Sequence, residues 1–97
     1  MQRAQALKKL RSLRPFLDSY HVKSVAVFGS VARNEAKAKS DIDIMVEFSE
    51  SPGLLDFVKL QRELSEKFGR KVDLVSKPAL HPRLKDRILG EAVYAYP

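Results

Sequence analysis

FGSVARNEAKAKSDIDIMVEF, residues 28–48, is the stretch on which the reading of this chain turns. It begins at the end of a β-branched and aromatic run, Val22 to Phe28, which has the composition of a strand and is stopped by Gly29. A glycine there lets the backbone approach an anion with no Cβ in the way. Ser30 adds a hydroxyl and an amide at the start of a helical turn, where free N–H groups favour phosphate. Residues 30–40 are small and polar, which predicts that short turn and then an exposed loop. From Asp41 to Phe48 the pattern alternates, with Ile42, Ile44 and Val46 set against Asp41, Asp43 and Glu47, as a half-buried strand does. Asp41 and Asp43 therefore project from one face of that strand, roughly 7 Å apart along the backbone. Two carboxylates at that spacing beside a phosphate-binding turn suit Mg²⁺, which takes a few carboxylates together with phosphate oxygens.

A third acid lies downstream. Lys71 to Val75 reads as another strand, closed by Pro78, and Asp73 sits among Val72, Leu74 and Val75. A carboxylate in such company is costly unless it faces a cleft or a cation. If this strand neighbours the Asp41–Phe48 strand, Asp73 joins the same site, either to share a metal ion or to accept a proton from an attacking hydroxyl.

The flanking segments supply helices. Leu7, Leu10, Leu13 and Leu17 recur at three- and four-residue spacing, predicting a helix over 2–19 that Pro15 kinks or restarts. Ser51-Pro52 is a helix-start signal, and Leu54, Phe57, Val58, Leu64 and Phe68 mark the helix that follows, with Gly69 at its C-cap. A last short helix over 82–90, ended by Gly90, and an edge strand over 92–96 complete the chain. The order predicts an α/β fold with helices packed on one small sheet, in a single domain over 1–97.

Composition narrows the class. The chain has no cysteine, which excludes disulfides and thiolate metal sites and suits a cytoplasmic location. No apolar run approaches a membrane span, so no membrane partner is expected. The net charge of +6 favours an anionic ligand or partner without choosing among them. There is no Walker P-loop and no dinucleotide fingerprint.

The run from Gly29 to Phe48, a Gly-Ser followed after ten residues by Asp-x-Asp, resembles the nucleotidyltransferase signature. The shortness of the chain, and its closing segment KVDLVSKPALHPRLKDRILGEAVYAYP, are similar to the minimal nucleotidyltransferase (MNT) group. The resemblance implies a DNA polymerase beta-like nucleotidyltransferase fold. It also implies ATP as substrate, held at its phosphates by Gly29 and Ser30, with Arg33 and Ser40 counted in the nucleotide-binding set. Asp41 and Asp43 are implied as Mg²⁺ ligands and Asp73 as the third acid of the catalytic and metal set. Minimal members often pair with a HEPN-domain ribonuclease toxin as its antitoxin, and some attach AMP to a toxin tyrosine. Asn34 stands where the family usually has glycine, and asparagine tolerates positive φ better than most residues.

The α/β core leaves no segment over for a second substrate pocket. The acceptor is therefore expected to bring its own docking surface, or the chain to form a homo-oligomer. The rival functions are a binding-only antitoxin that masks its partner and a transferase acting on a small hydroxylated molecule such as an aminoglycoside. Arg33 is equally readable as an ordinary surface arginine. The basic residues Lys8, Lys9, Arg11 and Arg14 read as a solvated helix face, with an acidic partner or nucleic acid as the other choice. Direct nucleic-acid binding is not expected. His21 and His81 lack metal spacing and read as structural or surface residues, and Tyr94 and Tyr96 as packing groups.

Overall fold

The computed structural model describes residues 1–96. Four strands, β1 (Val22–Phe28), β2 (Ile42–Phe48), β3 (Val72–Ser76) and β4 (Val93–Tyr96), form one sheet in the order β3-β2-β1-β4. β1 runs antiparallel to both β2 and β4, while β3 lies parallel to β2. The parallel step needs a crossover, and the helix α4 (Leu54–Phe68) makes it. The remaining helices are α1 (Arg3–Ser12), α2 (Arg14–Asp18), α3 (Gly29–Ala32) and α5 (Pro82–Glu91).

Alternation sorts each strand's side chains onto two faces. One face, with Val25 and Val27 of β1, Ile42, Ile44 and Val46 of β2 and Val72 and Leu74 of β3, forms the main core. Leu7 and Leu10 of α1, Leu17 of α2, and Leu60, Leu64 and Phe68 of α4 pack onto it. The other face is covered in part: Ala26, Phe28 and Met45 meet Ile88 of α5 in a smaller cluster. Odd-numbered residues of β2 and β3, including both Asp43 and Asp73, belong to this second, half-open face.

Several boundaries differ from expectation for identifiable reasons. The helix over 2–19 is broken at Leu13 (φ −90°, ψ 6°), and Pro15 is the second residue of the next piece, within the first turn where its missing N–H costs nothing. The start signal at Ser51-Pro52 falls early: α4 begins at Leu54 with Gly53 as N-cap. Leu54 and Val58 were part of its apolar pattern, yet they stand 78% and 53% exposed, because the buried stripe runs through Leu60, Leu64 and Phe68. Gly90 does not end the last helix, which continues to Glu91. Asp41 lies one residue ahead of β2. Gly69 does cap α4 in the left-handed region (φ +67°), and Asn34 adopts φ +58°.

The basic face of the first helix is largely used within the fold. Arg11 donates to the Ala95 carbonyl at 2.8 Å, Arg14 lies over the Tyr96 ring, and Lys9 over Phe68. His81 caps α5 by accepting from the Arg83 amide, and His21 lies 3.7 Å from Glu50. No helix among the described residues is long and apolar enough to cross a membrane.

Candidate active site

The parallel pairing of β2 with β3 sets Asp43 directly opposite Asp73. Residues paired across neighbouring strands project to the same face, so the two carboxylates share a locality that their sequence separation hides. Asp41, two residues before Asp43 and half exposed, adds a third negative charge on that side, with the Lys71 ammonium 3.9 Å away. Burial pushes the Asp43 carboxyl up to about 6, and the like charges of Asp73, Asp41 and Glu91 add to the shift, while Arg33 opposes it.

On the other side of Asp43 is the β1–α3 turn. Gly29 takes φ +69°, a conformation that favours glycine, and a Cβ there would overlap the Asp43 carboxylate. The turn is tied to α1: the Arg3 amide donates to Asn34 Oδ1 at 2.8 Å, and the Arg3 guanidinium to the Ala32 carbonyl at 3.0 Å. Asn34 thereby satisfies one of the amides that a helix start leaves without a partner.

Two cavities flank the carboxylates. A pocket of about 330 Å³ is lined by Gly29, Ser30, Arg33, Asp43, Arg87 and Glu91, together with Phe28, Leu84 and Ile88. A larger groove of about 670 Å³ starts at Asp73 and runs between α4 and α5 past Phe48, Leu54, Phe57, Leu80 and Leu84. The expectation that no second pocket exists is therefore corrected: the half-covered sheet face leaves room that α5 does not fill.

Of the residues singled out in the sequence, Gly29, Ser30, Arg33 and Asp43 line one pocket, and Asp73 lines the groove beside it. Ser40 is not on either lining; its hydroxyl oxygen accepts from the Lys37 amide at 2.9 Å and closes the loop before Asp41. Two residues of the smaller pocket went unread. Glu91 accepts from the Gly29 amide and from Arg33 Nη1, both at 2.9 Å, and Arg87 lies on the same wall. Both come from α5, and no local pattern links a helix-end glutamate to a turn 62 residues earlier.

Among the described residues, no group of three or more acidic or histidine side chains is placed to hold a metal ion alone. The donor set still fits Mg²⁺, which needs only a carboxylate or two when phosphate oxygens complete its shell. A carboxyl lifted by burial and then by neighbouring acids is a place that gains from a bound cation.

The Asp43 shift has a consequence for stability. Its folded value, about 6, lies above the ordinary 3.8, so between those limits the folded state binds more protons than the unfolded one. Stability of the metal-free protein must then fall as pH rises through that window. Asp43→Asn is expected to be more stable than wild type above about pH 6, by on the order of 1 kcal/mol once solvent screening in an open pocket is allowed for. The gain should vanish towards pH 4. Thermal unfolding in EDTA across that range measures it, and a gain that is the same at every pH would refute this origin.

A Gly-Ser turn against an aspartate pair on a four-stranded mixed sheet defines the class of nucleotidyltransferases. The nucleotidyltransferase domain family matches residues 5–95, and the chain belongs to it. The chain is 53% identical over 83 residues to a proposed protein adenylyltransferase of Methanocaldococcus jannaschii, covering 86% of this chain and 89% of that one. A proposed minimal nucleotidyltransferase of solved structure superposes with a TM-score of 0.80 at 36% identity, covering 96% and 95% of the two chains. A complex of tri-AMPylated HEPN toxin with MNT antitoxin from Shewanella oneidensis matches with a TM-score of 0.64. Its identity is 20%, covering 97% of this chain and 68% of that one, so this likeness bears on the fold.

Proposed function

We propose that this nucleotidyltransferase, acting as one unit over residues 1–97 in the cytoplasm, moves AMP from ATP to a hydroxyl of a partner protein. The acceptor in this reading is a tyrosine of a HEPN ribonuclease toxin, which makes the chain an antitoxin. The observation that carries it is the pairing of Asp43 with Asp73 between a pocket that holds Ser30, Arg33 and Arg87 and an apolar groove. One cavity suits a triphosphate, the other an apolar protein segment, and the acids lie where the two meet.

Gly29, Ser30 and Arg33 would bind the phosphates, with Arg87 as a further cation on the same wall. Asp41 and Asp43 would hold Mg²⁺, with Asp73 able to share it; the ion would supply positive charge to offset the negative charge on the phosphates and the leaving group. The acceptor oxygen attacks the α-phosphorus in line, forming the new P–O bond as the bond to the bridging oxygen breaks and pyrophosphate leaves. Asp73, facing the groove, takes the hydroxyl proton. The acceptor's apolar flanks would rest against Phe48, Phe57 and Leu84.

Support for a protein acceptor comes from that groove and from the M. jannaschii relative named for protein adenylylation. The test is label transfer from α-³²P-ATP with Mg²⁺ in lysate of the native host, comparing wild type with Asp43→Ala. A labelled band seen only with wild type supports the reading. Its absence, with pyrophosphate still released, points to a small-molecule acceptor; absence of both points to an antitoxin that acts by contact alone.

A further inference from the structure

Glu91 stands at the wrong place for an acid whose only task is packing. Its two oxygens accept separately from the Gly29 amide and from Arg33 Nη1, each at 2.9 Å. A carboxylate that bridges a backbone N–H and a guanidinium makes the same charge-assisted contacts a phosphate would make. It also adds a negative charge beside Asp43, where the like charges of Asp73 and Asp41 already act. With Glu91 in that place, the Gly29 amide has no open donor for an incoming anion.

We infer that Glu91 is an internal stand-in for the nucleotide's phosphate, occupying the anion seat in the free protein and giving it up when ATP binds. This rests on the nucleotide reading of the pocket. Glu91 is well placed to move. It is the last residue of α5, and Gly90 before it has nothing within 4 Å of where a Cβ would lie. A glycine in the final helical turn weakens that turn, which offsets part of the packing that the Glu91 side chain, only 18% exposed, gives up on leaving. Once it leaves, Arg33 and Arg87 both remain on the pocket wall to receive phosphate oxygens. An internal competitor lowers apparent affinity by the fraction of molecules whose seat is open, so Glu91 sets how much ATP is needed before transfer starts.

Calorimetric titration of wild type, Glu91→Gln and Glu91→Ala with Mg-ATP and with Mg-tripolyphosphate tests this. Both variants should bind both ligands at least about fivefold more tightly than wild type. Adenosine, which carries no phosphate, should bind all three proteins alike. Unchanged or weaker binding of tripolyphosphate by the variants overturns the inference and makes Glu91 a brace for Arg33; the nucleotide reading then stands if wild type binds Mg-ATP. If none of the three proteins binds either phosphate ligand, the inference and the nucleotide reading fall together. A crystal of the wild-type protein with Mg-ATP needs no variant: Glu91 should have left both donors, and its retention with nucleotide bound overturns the proposal.

Discussion

Asp43→Ala should reduce nucleotide transfer by at least about 10³-fold while leaving the domain folded. Asp43 is the acid at which the site's parts converge. It faces Asp73 in the β2–β3 register, meets the Gly29 backbone, and lines the same pocket as Ser30 and Arg33. It is also less exposed than Asp41, and interactions strengthen as solvent is excluded. Its loss should therefore outweigh that of Asp41, whose carboxylate is half exposed and has Lys71 beside it. The fold should survive, since the β2 residues of the main core are Ile42, Ile44 and Val46, on the opposite face. Transfer by Asp43→Ala within tenfold of wild type, at equal concentration of folded protein, would remove Asp43 from the mechanism.

Gly29→Ala should be nearly as damaging to activity, by a different route. The added methyl would overlap one Asp43 oxygen and lie 3.1 Å from its Cγ, at φ +69° where an L side chain is strained. The carboxylate must shift to make room, which displaces it within the site it shares with Asp73. Misplacement of about 1 Å at a reacting centre costs on the order of 10²-fold in rate, against only about 1–2 kcal/mol of stability from the backbone strain. Gly69→Ala is the matched control. It has nearly the same φ, +67°, but open space around the added methyl, so it should lose stability alone. Transfer rates and unfolding midpoints of the two variants separate the effects. Equal transfer in both would show that the Gly29 contact with Asp43 does not matter.

Much of the site is legible in the sequence because it is local. Gly29 and Ser30 follow the end of one strand, Asp41 and Asp43 stand at the start of the next, and ten residues separate the two pairs. Asn34 stands where the resembled family usually has glycine, and it takes the positive φ that asparagine tolerates. Asp73 was conditional on strand order, which only the crossover through α4 decides. Glu91 and Arg87 had no signal, since their place in the site follows from where α5 lies across the sheet. The groove was hidden for the complementary reason. An apolar residue such as Leu54 reads as core in a pattern, and only packing shows that it is left exposed beside the groove.

The pairing of β4 with β1 bears on how the protein is made. Val93 and Tyr96 bond to a strand some seventy residues earlier, and Glu91 reaches Gly29 from the segment just before them. Contacts between such distant residues close slowly, because the loop between them must be ordered first. During synthesis, β1, β2 and the three aspartates emerge before the strand that completes the sheet edge. The nascent chain thus carries its acids and the Gly29 and Arg33 donors before Arg87 and Glu91, which complete the pocket wall, have been made.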